Sequence, residues 1–481
     1  MPSPPGNDVN NILMSNAKKA AGTTAKRSRD INSVLLAGAK SQKSTKEKIT
    51  ADSSRKRTNS WSTKASHNNY GSAPPKYKII KTTNLNVDGF HYANKNRCKT
   101  YFLTHFHSDH YGGIDKNWDA GTIYCSPITA KLVIQELRVD PKYIHPIQLN
   151  RPFTVVSPDC LGMDVTVTLI NANHCPGAIL FFFTIRNPSK PKSSPITVLH
   201  VGDFRWDREF MQKNDVISKI CSRRIRLNEL YLDTTYCDAK YNFPAQRQSI
   251  DAALQCVKLE GMGENNDTLF VFGAYTIGKE KIFMSVAKAF GKKIFVDGRR
   301  DKVLRTFLSE EDAKLLTRDR NETNVWVVGL GGIVNKGLKE SLDDANKRGG
   351  GGLRGQRYSR VVGFRPSGWT YSGKKKKKDD LLQTTLDEGS KTKEKNKAPE
   401  IVAARKSGVV SIYGVPYSEH SSFGELVDCL LCLTPQNIVP TVKAGESREQ
   451  VSLLLDACRA KIKEEKENGC DEEEDKSRRG L

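Results

Sequence analysis

The chain has 481 residues, 37% of them apolar, and a formal net charge of +23. That length accommodates more than one domain with a sizeable core, and so large a positive excess points to a polyanionic partner, nucleic acid foremost. The opening MPSPPGNDVNNI lacks the charged-then-apolar pattern of a signal peptide, and the longest apolar run, Ala178–Ile185, is far too short to span a bilayer.

Residues 1–75 hold 13 Lys and Arg against 4 Asp and Glu, so +9 of the charge sits there. With few aromatics this region is expected to be disordered. Its clusters Lys26–Arg29 and Arg55–Arg57 read as nuclear import signals or DNA tethers, which places the protein in the nucleus. From Tyr77 short apolar runs alternate with turns. Thr100–Leu103, Val165–Ile170, Ile179–Ile185, Thr197–Val201 and Leu230–Leu232 are predicted strands of a layered α/β core. Helices are predicted at Ile128–Leu137, Ala245–Leu259 and Lys279–Phe290, and a further strand at 268–273. Gly349–Gly352 reads as a loop, and the lysine run opening at Lys374 as a solvated insertion, about 373–397. A strand at Gly408–Tyr413, a helix at Ser422–Leu433 and a strand at Ile438–Val442 follow, and the charged tail after Lys461 is expected to fray. Eleven scattered cysteines suggest reduced thiols and an intracellular home; Cys429 and Cys432, in an apolar run, read as helix core.

The chemistry concentrates in Thr104–His110, THFHSDH, directly after a predicted strand. Four ionisable groups there cost heavily in desolvation unless something binds them, and a divalent metal does. His105 and His107 alternate and face one way; Asp109 and His110 follow on the next turn. Downstream, His174 in NANHCPGA and Asp203 in LHVGDFR stand at further strand ends. Together they make a set for one or two zinc ions: His105, His107 and His174 on one, Asp109 and His110 on the other, Asp203 between. Two metals so placed suit in-line phosphoryl displacement.

H-x-H-x-D-H, then His, then Asp, each at a strand end, resembles the metallo-β-lactamase superfamily. LYLDTTYC (Leu230–Cys237, with Asp233) and GVPYSEHSS (Gly414–Ser422, with Ser418 and His420) resemble the motifs of its β-CASP nuclease branch. Val442 stands where RNA-processing members carry histidine. YTIGKEKIF (Tyr275–Phe283) and FRPSGWTYS (Phe364–Ser372) are similar to DNA interstrand cross-link repair nucleases, relatives of Artemis and Apollo.

The resemblance implies an αββα metallo-β-lactamase sandwich with an inserted β-CASP α/β domain. Its first part would span 76–236, the insert 237–404 and the returning part 405–460, with a charged tail at 461–481. It implies a 5′→3′ exonuclease preferring 5′-phosphorylated DNA ends, acting as a monomer in cross-link or double-strand break repair on single-stranded or processed DNA. Asp88 would support the metal loop from behind. Asp109, Asp233 and His420 would be catalytic: Asp233 orienting a histidine or the metal's water, His420 protonating the leaving 3′ oxygen or contacting the second metal. Thr276, Lys279, Lys281 and Ser418 would bind phosphate. Rival readings are an RNA-processing β-CASP nuclease, a small-ester hydrolase on the same fold, and a non-catalytic DNA-end scaffold.

Overall fold

Short β-rich runs separated by turns pair into three sheets. The computed structural model of the protein describes residues 73–262, 267–347, 357–370 and 403–479. Both N-terminal basic clusters, the glycine run at 349–352 and the lysine-rich stretch at 373–397 lie outside the described residues. The first sheet is wholly parallel, in the order β1 (Asn86–Val87), β2 (Thr100–Phe102), β3 (Thr122–Cys125) and β4 (Ile144–Pro146).

The second sheet begins with a meander of β5 (Phe153–Val155), β6 (Asp164–Asn171), β7 (Ile179–Arg186) and β8 (Ile196–His200), beside which β9 (Glu229–Leu232) lies parallel to β8. The β-branched and aromatic sequences of β6 and β7 suit a half-buried pleat, and they pair over all eight residues from Asp164↔Arg186 to Asn171↔Ile179. The two sheets face each other. Phe102 of β2 meets Phe181 and Phe183 of β7 edge-on at 5.2 and 5.1 Å, and Val87, Val167 and Val198 join the same core. On the outer faces, a second core gathers Leu132 from helix Pro127–Leu132, Ile217 from helix Asp215–Cys221, and Leu426 and Leu430 from helix Phe423–Leu433. The result is the expected αββα sandwich. The helix foreseen over Ile128–Leu137 is α-helical only to Leu132. It widens into a π turn through Leu137 and stops at the left-handed Arg138.

The third sheet runs β12-β11-β13-β10-β14-β16-β15, with β10 at Thr268–Ala274, β11 Ile294–Phe295, β12 Leu316–Thr317, β13 Val325–Gly329, β14 Arg360–Pro366, β15 Ala403–Ser407 and β16 Val410–Val415. Every pair is parallel except β15–β16. Helices Gln246–Leu259 and Glu280–Phe290 cover one face and helix Asn335–Lys347 the other. That double cover is why β10, TLFVFGA, is apolar and buried along its whole length.

Three expectations need correction. The strand after Gly408 was read as the chain's return to the first domain, yet β16 pairs with β14 from Val361↔Val410 to Pro366↔Val415. The return comes only after Val415, and β17 (Asn437–Pro440) then pairs with β9. Strand partners are a non-local choice that a single apolar run does not reveal. The tail after Lys461 is helical as far as Arg479, in helix Ser447–Arg479, where Lys463 and Glu467, one turn apart, lie 3.6 Å from each other. Finally, Cys429 and Cys432 are both helix core as expected, but the thiols are not all reduced: Cys432 is disulfide-bonded to Cys221 across 211 residues, Cα to Cα 5.1 Å, while Cys429 is free. The packing of helix 215–221 against helix 423–433 brings that pair together. No helix among the described residues is long and apolar enough to cross a membrane.

Candidate metal centre

The carboxyl ends of β1, β2, β6, β8 and β9 deliver Asp88, Thr104–His110, His174, Asp203 and Asp233 to one edge of the sandwich. Asp88 takes up a left-handed backbone (φ +52°) just past β1. Its Oδ1 accepts the Thr104 amide at 2.9 Å, and its Oδ2 accepts the Thr104 hydroxyl and His110 Nδ1, both at 2.7 Å. Past β2, residues Ser108–Tyr111 form one helical turn that carries Asp109 and His110 beyond the two preceding histidines. Gly202 (φ +58°) lets the β8 turn close in: a Cβ there would stand 2.7 Å from the Cβ of Thr104.

The hydrogen-bond partners set the histidine tautomers. Thr104 gives its one hydroxyl proton to Asp88, so His105 Nδ1, 2.9 Å from that oxygen, must donate to it. His107 Nε2 faces the carbonyl of Ile277 at 3.1 Å and His174 Nδ1 the carbonyl of Glu419 at 2.8 Å; a carbonyl only accepts, so both nitrogens donate. The remaining nitrogens therefore carry lone pairs, and they converge. His107 Nδ1 is 2.9 Å from His105 Nε2 and 3.2 Å from His174 Nε2. Burial pushes His105 and His174 well below the ordinary imidazole range, so neither supplies a proton to relieve this repulsion. With a carboxylate oxygen of Asp203, these three nitrogens lie within 4.8 Å of one another. Lone pairs without a proton among them are the donor set of a cation site, and an N₃O set suits zinc.

A second group adjoins the first. His110, its Nδ1 held by Asp88, turns Nε2 to within 3.2 Å of Asp203 Oδ2 and 3.7 Å of Asp109 Oδ2. Burial opposes charge on His110, but the Asp203 and Asp88 carboxylates outweigh it and raise its pKa well above the ordinary value. A positive charge on that nitrogen, whether proton or metal, is what the surroundings favour. Asp203 is buried, which alone would keep it neutral; His110 and His420 pull it well below the carboxylate range. A third group is Asp203, Asp233 and His420. Asp233 accepts His420 Nδ1 at 2.8 Å, which leaves His420 Nε2 facing Asp203 at 3.9 Å. Asp203 thus belongs to all three groups.

These groups line a cavity of about 790 Å³, with Lys78, Arg299 and Lys443 on its walls and Val442 beside them. Of the four residues expected to bind phosphate, two line this cavity. Thr276 and Lys279 reach the cavity, but Lys279 is buried in an ion pair with Glu419, Nζ to Oε2 2.9 Å. Lys281 points elsewhere, to Asn173 Oδ1 and Gln246 Oε1. The buried Ser418 hydroxyl accepts the amide of His420 at 2.9 Å and so braces that loop. Sequence reasoning missed Thr104, the Ile277 carbonyl and Glu419, which orient the histidines. Backbone carbonyls carry no side-chain signature, so only their neighbours within YTIGKEK and YSEH marked the place.

Residues 310–446 match the family described as DNA repair metallo-beta-lactamase. The chain is 36% identical over 373 residues to the DNA cross-link repair protein SNM1 of Arabidopsis thaliana, covering 78% of this chain and 67% of that one. It is 36% identical to the DNA cross-link repair 1A protein of Homo sapiens over 77% of this chain but only 31% of the relative's length. The 5′ exonuclease Apollo of Danio rerio is 27% identical, over 76% of this chain and 52% of its own.

Proposed function

The chain belongs to the DNA cross-link repair family of metallo-β-lactamase proteins, and on that premise we propose that it is a zinc-dependent DNA nuclease, a 5′→3′ exonuclease that prefers 5′-phosphorylated ends and works in cross-link or double-strand break repair in the nucleus. The chain spans about a third of the human relative's length, so its cellular role rests on this reading rather than on the relatives' names. The observation that carries it is the convergence of unprotonated imidazole nitrogens on Asp203.

His105, His107, His174 and Asp203 would hold one zinc ion, and Asp109, His110 and Asp203 a second. Bound zinc supplies Lewis acidity, acidifying a water and screening the charge that builds on phosphate. The chain does the rest. Thr104, Ile277 and Glu419 keep three imidazoles in the tautomer that presents a lone pair. Asp88 does the same for His110. Asp233 fixes the His420 ring so that Nε2 opens onto the cavity, where it is placed to protonate the departing 3′ oxygen. Lys78, Arg299 and Lys443 put positive charge on the cavity wall for the phosphodiester backbone.

End-labelled single-stranded DNA with and without a 5′-phosphate, and matched RNA, test the reading with the full chain and Asp203→Asn. Phosphate-dependent loss of nucleotides from the 5′ end, absent in the variant, is expected. Cleavage confined to RNA, or wild-type rates in Asp203→Asn, sinks it.

A further inference from the structure

Most bulky aromatics of the protein are buried, yet two of the three with large exposed faces stand beside the metal centre. Among the described residues these three are Phe210, Tyr275 and Trp369, and the latter two are 51% and 59% exposed. Tyr275 follows β10, its ring centroid 6.2 Å from that of His107, with the Lys279 ammonium 5.7 Å from the ring. Trp369 rests on Tyr236 (4.8 Å) and crosses Tyr241 edge-on (4.9 Å, 82°). Tyr236 in turn lies 6.0 Å from the His420 ring. Between these ends run His107, His174 and His420, with successive centroids 5.0 and 4.8 Å apart. A continuous row of rings therefore crosses the centre and ends in an open aromatic face on each side.

We propose that Tyr275 and Trp369 are stacking platforms for unpaired nucleobases flanking the cleaved phosphodiester, so that the protein grips single-stranded or frayed DNA ends; this rests on the nuclease reading. Two features fit the assignment. Tyr236 and Tyr241 brace Trp369 from behind, so an arriving base meets a plane already held in place. At the other end, Lys279 is pinned by Glu419 close to the Tyr275 ring, so its charge favours the electron-rich face of the ring and leaves less disorder to lose on binding. Every base has a π face, so stacking tolerates any sequence, while bases inside a duplex have both faces covered by their neighbours. The preference for unpaired ends then comes from geometry, without any base-edge hydrogen bond.

The test uses the full zinc-loaded chain, its Trp369→Ala, Tyr275→Ala and Trp369→Phe variants, a mixed-sequence single-stranded oligonucleotide and an abasic oligonucleotide of equal length. KM for the ordinary oligonucleotide should rise roughly 5- to 100-fold in each alanine variant. Trp369→Phe, which keeps a stacking face, should recover most of that loss. On the abasic strand the four proteins should converge. Unchanged KM in both alanine variants on the ordinary oligonucleotide overturns the platforms while leaving the nuclease reading intact. If the wild type cleaves no nucleic acid, the nuclease reading fails instead. The platforms are then judged by oligonucleotide quenching of the Trp369 fluorescence, taken as the difference between wild type and Trp369→Phe. Quenching by the ordinary strand but not the abasic one supports them, and its absence ends them.

Discussion

The Lys279 ammonium lies 2.9 Å from Glu419 Oε2, and the Lys279 amide donates to Glu419 Oε1 at 2.7 Å, with both side chains buried. This pair ties the loop after β10 to the loop after β16, the two segments whose Ile277 and Glu419 carbonyls orient His107 and His174. Lys279 left-handed at φ +73° completes the tight approach. The lysine that reads from sequence as a phosphate ligand thus also joins the two loops that orient the histidines.

Lys279→Ala should therefore act without substrate. It strands a buried carboxylate, which costs about 3–5 kcal/mol of stability, and loosens two histidine rings. Denaturant melts and zinc titration against a chelating dye are the measurements: the variant should lose both stability and zinc affinity. A variant with normal melting and normal zinc binding, but weaker DNA binding, would return Lys279 to the phosphate role.

Asp88→Asn should impair the centre more than its small size suggests. The amide nitrogen would face either the Thr104 hydroxyl and His110 Nδ1–H or the Thr104 amide, donor against donor. His110 then flips its tautomer. Changes of this kind behind a metal ligand cost roughly 10- to 100-fold in metal affinity or activity. Zinc competition assays read the loss, and wild-type affinity in Asp88→Asn would remove Asp88 from this role.

Glu280 gives a pH signature. Burial and the neighbouring Glu419 push its pKa from 4.5 to about 7. The folded state thus holds a proton that the unfolded chain releases near 4.5, so Glu280 costs nothing in acid and destabilises progressively as pH rises towards 7. Glu419 works the other way. Burial would raise it, but Lys279 and His174 bring it down to about 2, so its contribution is whole above pH 4.5 and fades on acidification. Glu280→Gln should be more stable than wild type at pH 8, by on the order of 2–3 kcal/mol, and no more stable at pH 4. Denaturant melts at the two pH values decide it, and an equal gain at both would contradict the assignment.

The Cys221–Cys432 bond links helices 215–221 and 423–433, the second of which starts three residues after His420. Closing so long a loop is worth about 2–4 kcal/mol. A thiol reductant should lower the melting temperature of the wild type to that of Cys221→Ser, whose own melting it leaves unchanged. Equal melting of the wild type with and without reductant would mean the bond carries no stability.

Much of the centre was legible in the sequence because its signals are local. Strand period, the strand end at Phe102 and the two-residue spacing of His105 and His107 all act within a few residues. They located His105, His107, Asp109, His110, His174 and Asp203 and the longer strands of the sandwich, whereas Asp233 and His420 came from the family resemblance and the short strands β1, β3, β4 and β5 were not foreseen. What stayed hidden depends on which segments meet. β16 could pair with either sheet, and only the register with β14 decided it. Lys279 could face solvent or Glu419, Cys432 could be a free or a bonded core thiol, and Tyr275 and Trp369 could be ordinary surface rings or the two ends of a row. The choice in each case is made by a partner 49 or more residues away, through packing and desolvation that no local pattern records. The sequence by itself determined the ligand chemistry and the strand ends that present it; the tertiary structure alone decided which charges are spent on holding the centre together and which faces remain open to DNA.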